Sequence, residues 1–463
     1  MRCYFALVSK VILLALAILL AVSGWGCSAI DNSAPADREL LGLQVFSMPN
    51  NIPPAERTWV KNTRLWIPWS VVEPAPGSFD WSAVDNTINA ILADGCESIL
   101  ILLGGPIPGW ARDDQYGDLS AYAPPRDLGD WYGYCAEMAE RYGPVVDFYE
   151  IWNEPGWDRD SEVMQYGIYH FGGQVETDYL PLLQLGYAAI KEEDPTAAVI
   201  CGALMYTLQD DPDEGTENYA MLFDDVNRPG QDVSIDIAAG LPITAVQSID
   251  LEENGISTSV ASSPQTEWHF GAARVGDSIQ ENIYLQNPQA EKTEVTLTFK
   301  MARGETFSRK VDLAGESELD LNINEFIGFH GSCDMVAVHP YKSPKFWGPF
   351  YANVVDTLRS QGATQEVVVS EAGWPSYSDK NPAAFSEQYQ ADAIAELGVG
   401  GLFDRGCRKI WVYRDIDEDP GTVWDGSYYG MFKYTGEPHP AWSSYVQWQQ
   451  QLPRYPLLPS SLP

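Results

Sequence analysis

Positive charge is scarce in this chain. Lysine and arginine number 28 against 65 aspartates and glutamates, a formal net charge of −37. So acidic a surface repels a polyanion over most of its area, which argues against nucleic acid as a partner. The excess suits a salty or acidic habitat, and equally a secreted protein kept dispersed by its charge. Cysteine is sparse as well, with 7 in 463 residues. The spacing of Cys96, Cys135, Cys201, Cys333 and Cys407 matches no zinc ribbon or finger. Five is an odd number, so an exported form keeps at least one free thiol; their places beside apolar runs point to packing rather than chemistry. A membrane-length apolar run is missing too: the run from Val11 to Val22 is shorter than the roughly 20 residues that span a bilayer.

What that short run fits is an export signal. Arg2 and Lys10 precede it, and Ser23-Gly24-Trp25-Gly26-Cys27 follows, ahead of a polar stretch. A small residue before cysteine resembles a bacterial lipoprotein cleavage site with Cys27 acylated, which would anchor the protein to a membrane. Gly24 and Trp25 depart from the usual aliphatic-then-small pattern, so cleavage to a free secreted form stays open. Both imply an exported protein.

Beyond residue 40, apolar strand-like runs alternate with amphipathic helical ones. Strands are expected near 43, 65, 100, 149, 199, 337, 368 and 411. Helices are expected over 83–93, 127–142, 178–193, 351–360, 382–402 and 440–451. Eight strands in βα alternation predict an α/β fold, a (β/α)8 TIM barrel, which needs about 250 residues and leaves a surplus. The surplus is visible between the fifth and sixth strands. There the pattern switches to period two, as in Thr293-Glu294-Val295-Thr296-Leu297-Thr298-Phe299, which reads as antiparallel strands with one wet face. The expected organisation is a signal peptide over 1–27, a polar leader over 28–40, barrel strands over 41–229, an inserted antiparallel β-sandwich over 230–325, barrel strands over 326–452 and a C-terminal tail over 453–463.

Two of the barrel strands end alike. Tyr149-Glu150-Ile151-Trp152-Asn153-Glu154-Pro155 stops at a proline, which cannot donate to a strand ladder, so Glu154 falls at the strand's carboxyl end. Val367-Val368-Val369-Ser370-Glu371-Ala372-Gly373-Trp374-Pro375 repeats the arrangement. In a parallel barrel that end carries the chemistry. These two motifs, with Arg64 in the second strand and His339-Pro340-Tyr341 in the sixth, resemble the retaining glycoside hydrolases of clan A, most closely family 39 and its relatives: the β-xylosidases, α-iduronidases and exopolysaccharide hydrolases.

That resemblance implies a hydrolase acting on the O-glycosidic bonds of a carbohydrate substrate, needing no metal or organic cofactor. Glu154 would be the acid/base and Glu371 the nucleophile. Asn153 would hold the sugar 2-hydroxyl, Arg64 would keep the nucleophile charged, and His339 and Tyr341 would line the cleft. Among the 16 tryptophans, Trp110, Trp374 and Trp411 are candidate walls for stacking sugar rings, although such side chains also fill cores. Glu150 is the rival acid, but four residues deeper it reads as a paired structural carboxylate. Two alternatives use the same residues: an inactive surface protein that binds carbohydrate, and a transglycosylase.

Overall fold

Apolar runs too short to stand alone are stabilised here by closing on one another. In the computed structural model, residues 37–46, 52–155, 171–173, 178–203, 231–251, 255–260, 263–275, 279–301, 306–322, 333–360, 363, 365–377, 385–418 and 428–462 are described. The export signal, Cys27 and most of the polar leader lie outside them. Among the described residues no helix is long and apolar enough to cross a membrane.

Five strands come first: β1 (Leu40–Gln44), β2 (Asn62–Pro68), β3 (Ser98–Gly104), β4 (Phe148–Ile151) and β5 (Ala198–Cys201). Seven antiparallel strands follow: β6 (Gln231–Leu251), β7 (Gly255–Val260), β8 (Gln265–Val275), β9 (Ile279–Asn287), β10 (Thr293–Met301), β11 (Thr306–Leu313) and β12 (Ser317–Asn322). The last three are β13 (Met335–Ala337), β14 (Glu366–Ala372) and β15 (Lys409–Val412). β1 to β5 and β13 to β15 pair in parallel and close into an eight-stranded barrel, with β15 returning to β1. The fold is the (β/α)8 barrel that the alternation predicts.

Period-two geometry sorts the barrel's side chains into two cores. Leu100, Phe148, Ala198, Ile200, Ala337, Val368 and Trp411 fill the interior. Their neighbours Ile99, Ile101, Tyr149, Val199, Val369 and Ile410 face the helices. Trp411 is wholly buried, edge-on to Phe148 at 5.7 Å, so the expectation that it forms a sugar-stacking wall is corrected: its ring presents no free face. Gly42 on the neighbouring strand makes room for it, since a Cβ there would stand 2.2 Å from the indole.

The helices follow their apolar stripes. Ser82–Ala93 buries Val84, Ile88, Ile91 and Leu92. Leu128–Tyr142 begins where the Asp127 carboxylate accepts the Gly129 N–H. The helix expected from 351 starts a turn earlier, spanning Trp347–Ser360, because Pro349 is tolerated in a first turn and Trp347 is buried. The helix expected over 382–402 starts at Glu387, where Ser386 caps it; residues 378–384 lie outside the described set. The tail is anchored at the barrel's amino end: the Tyr455 hydroxyl accepts the Glu39 N–H at 2.7 Å, and Glu97 accepts the Tyr455 N–H at 2.9 Å.

Within the antiparallel unit, β6 is the shared element. Its first half pairs with β8 and β10 and its second half with β7 and β9, so one long strand belongs to two sheets. Ile235, Ile237, Ile243, Phe270, Leu285, Val295 and Leu297 form a core of their own. A unit with its own core, entered and left between β5 and β13, can be excised in principle. Replacing residues 231–322 by a short linker is expected to leave a soluble barrel with one cooperative melting transition. Insoluble protein, or melting without a transition, would show that the barrel needs the unit to fold.

Candidate active site

The carboxyl ends of β4, β13 and β14 converge on one buried guanidinium carried by the first half of β2. Arg64, fully buried on β2, donates from Nε to Glu150 Oε2 at 2.8 Å and from Nη1 to Glu371 Oε2 at 2.8 Å. Nη2 donates to Asn153 Oδ1 at 3.1 Å, and Nη1 also reaches Gln44 on β1. Burial works against the Arg64 charge, yet Glu150 and then Glu371 outweigh it and raise its pKa above the ordinary arginine value. It is a permanent cation whose forked donors match its acceptors.

Glu371 is nearly buried, and both of its oxygens are engaged: Oε2 by Arg64 and Oε1 by the Tyr341 hydroxyl. Burial, then the Glu371 charge, pushes the Tyr341 phenol far up, so Tyr341 stays a donor. Ser370 and Glu371 are consecutive, yet both side chains enter this cluster, Ser370 Oγ donating to Glu150 Oε1 at 2.8 Å. Strict alternation would send them to opposite faces. The β14–β15 register shifts between Val369 and Ala372, a local irregularity of the kind that re-aims a side chain.

On the other side, β4 ends in strained backbone. Trp152 and Glu154 have φ of 66° and 48°, left-handed values that cost non-glycine residues about 1–3 kcal/mol each. Packing holds them there. The buried Trp152 ring lies edge-on to Phe171 at 5.3 Å, and the Trp152 N–H donates to Leu103 O at 2.7 Å. Gly202 sits so close that a Cβ would meet the Trp152 carbonyl oxygen at 2.4 Å. The result turns Glu154 inward. It is almost wholly buried, with Oε1 2.7 Å from His339 Nδ1 and Oε2 3.4 Å from the Asn153 amide nitrogen. Burial opposes the imidazolium, but Glu371 and then Glu154 prevail and hold the His339 pKa above the usual histidine value.

Glu154, His339 and Glu371 each bring one atom within 4.8 Å of the others, so a carboxylate oxygen of Glu154 lies within that distance of one of Glu371. The same three side chains could in geometric terms surround a cation. Arg64 already supplies a fixed positive charge to Glu371, and the imidazole is spent on Glu154 and Ser370, so the arrangement suits proton transfer better.

Arg64, Asn153, Glu154, His339, Tyr341 and Glu371 are therefore neighbours in space. Trp110 and Trp374 are half-buried. Trp110 donates to Glu73 O at 3.0 Å and lies edge-on to Trp69, while Trp374 stacks on Phe385 at 5.0 Å. The aromatic rings packed around Tyr341 are Tyr413 at 6.3 Å and Tyr429 at 6.1 Å, with the exposed Phe46 beside Tyr413. Sequence reading passed over Gln44 and Ser370 in this cluster. The available signal was a polar residue closing an apolar run, in Leu40-Leu41-Gly42-Leu43-Gln44 and in Val367-Val368-Val369-Ser370.

Fold and site together define a barrel with a buried carboxylate pair at the carboxyl ends of its strands. No family model and no curated protein matches the chain. Among solved structures it is similar to a family 39 glycoside hydrolase from the gut symbiont Bacteroides cellulosilyticus WH2, at 14% identity and a TM-score of 0.48 over 91% of this chain and 66% of that one. It is similar also to the exo-β-1,4-mannosidase Op5Man5 from Opitutaceae bacterium strain TAV5, at 11% identity and 0.47 over 92% and 62%. A third is xylanase 10B from Thermotoga petrophila RKU-1, at 11% and 0.44 over 91% and 98%. This chain thus spans less than two thirds of the length of each of the first two.

Arg64→Met would leave Glu150 and Glu371 buried without their cation. Breaking a buried pair in this way costs about 3–5 kcal/mol. Urea unfolding is expected to show that loss, and a loss below about 1 kcal/mol would mean that the guanidinium does not hold the strand ends together.

Proposed function

We propose that this protein is an exported retaining glycoside hydrolase that cleaves an oligo- or polysaccharide by double displacement on Glu371 and Glu154. The observation that supports this reading is their separation, with carboxylate oxygens of the two within 4.8 Å. Retaining pairs stand about 5–5.5 Å apart, and inverting pairs about 6.5–9.5 Å so that a water fits between acid and base. So close an approach favours the retaining arrangement over the inverting one.

In the first step Glu371 bonds to the anomeric carbon, the glycosidic C–O bond breaks, and the Glu154 proton passes to the leaving oxygen. In the second, Glu154 removes a proton from water, whose oxygen takes the anomeric carbon back from Glu371. Both carboxyl groups end as they began. Negative charge on Glu371 favours the protonated acid, and esterification of Glu371 removes that charge, which favours Glu154 as a base. Arg64 and Tyr341 hold Glu371 as an oriented anion. Asn153, with its oxygen on Arg64 and its amide toward Glu154, is assigned the sugar 2-hydroxyl. Phe46, Tyr413 and Tyr429 offer stacking faces, with Trp110 and Trp374 as outer walls. Residues 1–27 would direct export, with the mature chain either free or carried on a lipid at Cys27.

Glu371→Ala is expected to abolish turnover, and added azide to restore product of the opposite anomeric configuration. Glu154→Gln should slow substrates with poor leaving groups by about 10²–10⁴-fold and activated aryl glycosides far less. Full activity in Glu371→Ala, or equal slowing across leaving groups in Glu154→Gln, would rule out these roles.

A further inference from the structure

The hydrogen bonds of Glu150 and Ser370 fix where the protons of His339 lie. Glu150 is fully buried, with Oε2 on Arg64 Nε and Oε1 on the Ser370 hydroxyl. A carboxylate paired with a guanidinium only accepts, so the single Ser370 proton points to Glu150. Ser370 Oγ then offers a lone pair to His339, and Nε2, 2.9 Å away, must carry hydrogen. Across the ring, Nδ1 lies 2.7 Å from Glu154 Oε1. Two lone pairs do not face each other at that distance, so a proton lies between them.

We propose that Ser370 is a positioning residue: by accepting from Nε2 it locks the tautomer of His339, and His339 Nδ1 then determines which oxygen of Glu154 carries the acid proton. This rests on reading Glu154 as the general acid. While the imidazole is charged, Nδ1–H donates to Oε1, and the acid proton stands on Oε2, ready for the leaving oxygen. Once Nδ1 is bare, it draws the Glu154 proton to Oε1, against the ring, where no substrate oxygen can take it. The alkaline limit of leaving-group protonation is therefore the loss of one proton from the His339–Glu154 pair.

The charges facing His339 come from three strands besides its own. Glu154 and Glu150 are presented by β4, Glu371 by β14 and Arg64 by β2, while Tyr341 follows His339 itself. Glu371 and Glu154 favour the imidazolium and Arg64 opposes it, with a net upward result despite burial. The sign follows: the charged form persists above the ordinary histidine value and is lost as pH rises through the raised one.

The experiment compares pH profiles of kcat/KM for a poor and an activated leaving group. In Ser370→Ala the imidazolium loses its Nε2 acceptor, so for the poor leaving group the alkaline limb should move down by about one pH unit. The activated aryl glycoside should show no such displacement, and Ser370→Thr, which keeps the hydroxyl, should restore the limb. An unmoved limb, or equal displacement for both leaving groups, overturns the role of Ser370. Neither result touches the Glu154 and Glu371 assignments, which the variants at those residues decide separately. If Ser370→Ala does not fold, NMR of isotopically labelled histidine in the unaltered protein decides, with His339 assigned by its absence in His339→Asn. Hydrogen on Nε2 at every pH supports the proposal, and a neutral form with hydrogen on Nδ1 alone overturns it.

Discussion

The structure turns on the burial of Arg64. A guanidinium with no exposure to water is tolerable only if its donors are met, and the acceptors come from distant parts of the chain: Gln44, Glu150, Asn153 and Glu371. Those residues lie at or beside the ends of β1, β4 and β14, so satisfying one cation gathers three strand ends around β2. The same requirement makes the site anionic yet ordered. Glu150 completes the pairing, leaving Glu371 held by two donors. The strained turn at Trp152 and Glu154 then brings the second acid over it.

The two glutamates differ in what lies beside them. Glu371 is flanked by a cation and by a phenol that stays protonated. Glu154 is flanked by an imidazole and an amide instead. Two glutamates at equivalent strand ends thereby stand in different surroundings, the condition under which one scaffold can obtain both an acid and a base.

Much of this could be read from residues. The eight barrel strands were legible because parallel strands covered on both faces are near-continuous apolar runs, and the antiparallel unit because its strands alternate. The two glutamates were legible because each closes such a run beside Trp and Pro. Trp411 was not, because an indole in a strand looks the same from sequence whether it points at a ligand or into the barrel. Its place depends on Gly42, 369 positions away in the chain, leaving the space. Ser370 was hidden for a related reason: strict alternation assigns it and Glu371 to opposite faces, and only the β14 irregularity brings them together. Left-handed backbone at Trp152 and Glu154 has no residue signature, since neither is glycine or asparagine.

The central claim is that the close Glu154–Glu371 pair acts by two successive displacements at one carbon. It is tested most directly by the configuration of the first sugar released, followed by proton NMR before mutarotation scrambles it. A first-formed product with the same anomeric configuration as the substrate is the result this account predicts. A first-formed product of inverted configuration would contradict it, because it would mean a single displacement by water with no bond from Glu371 to the sugar.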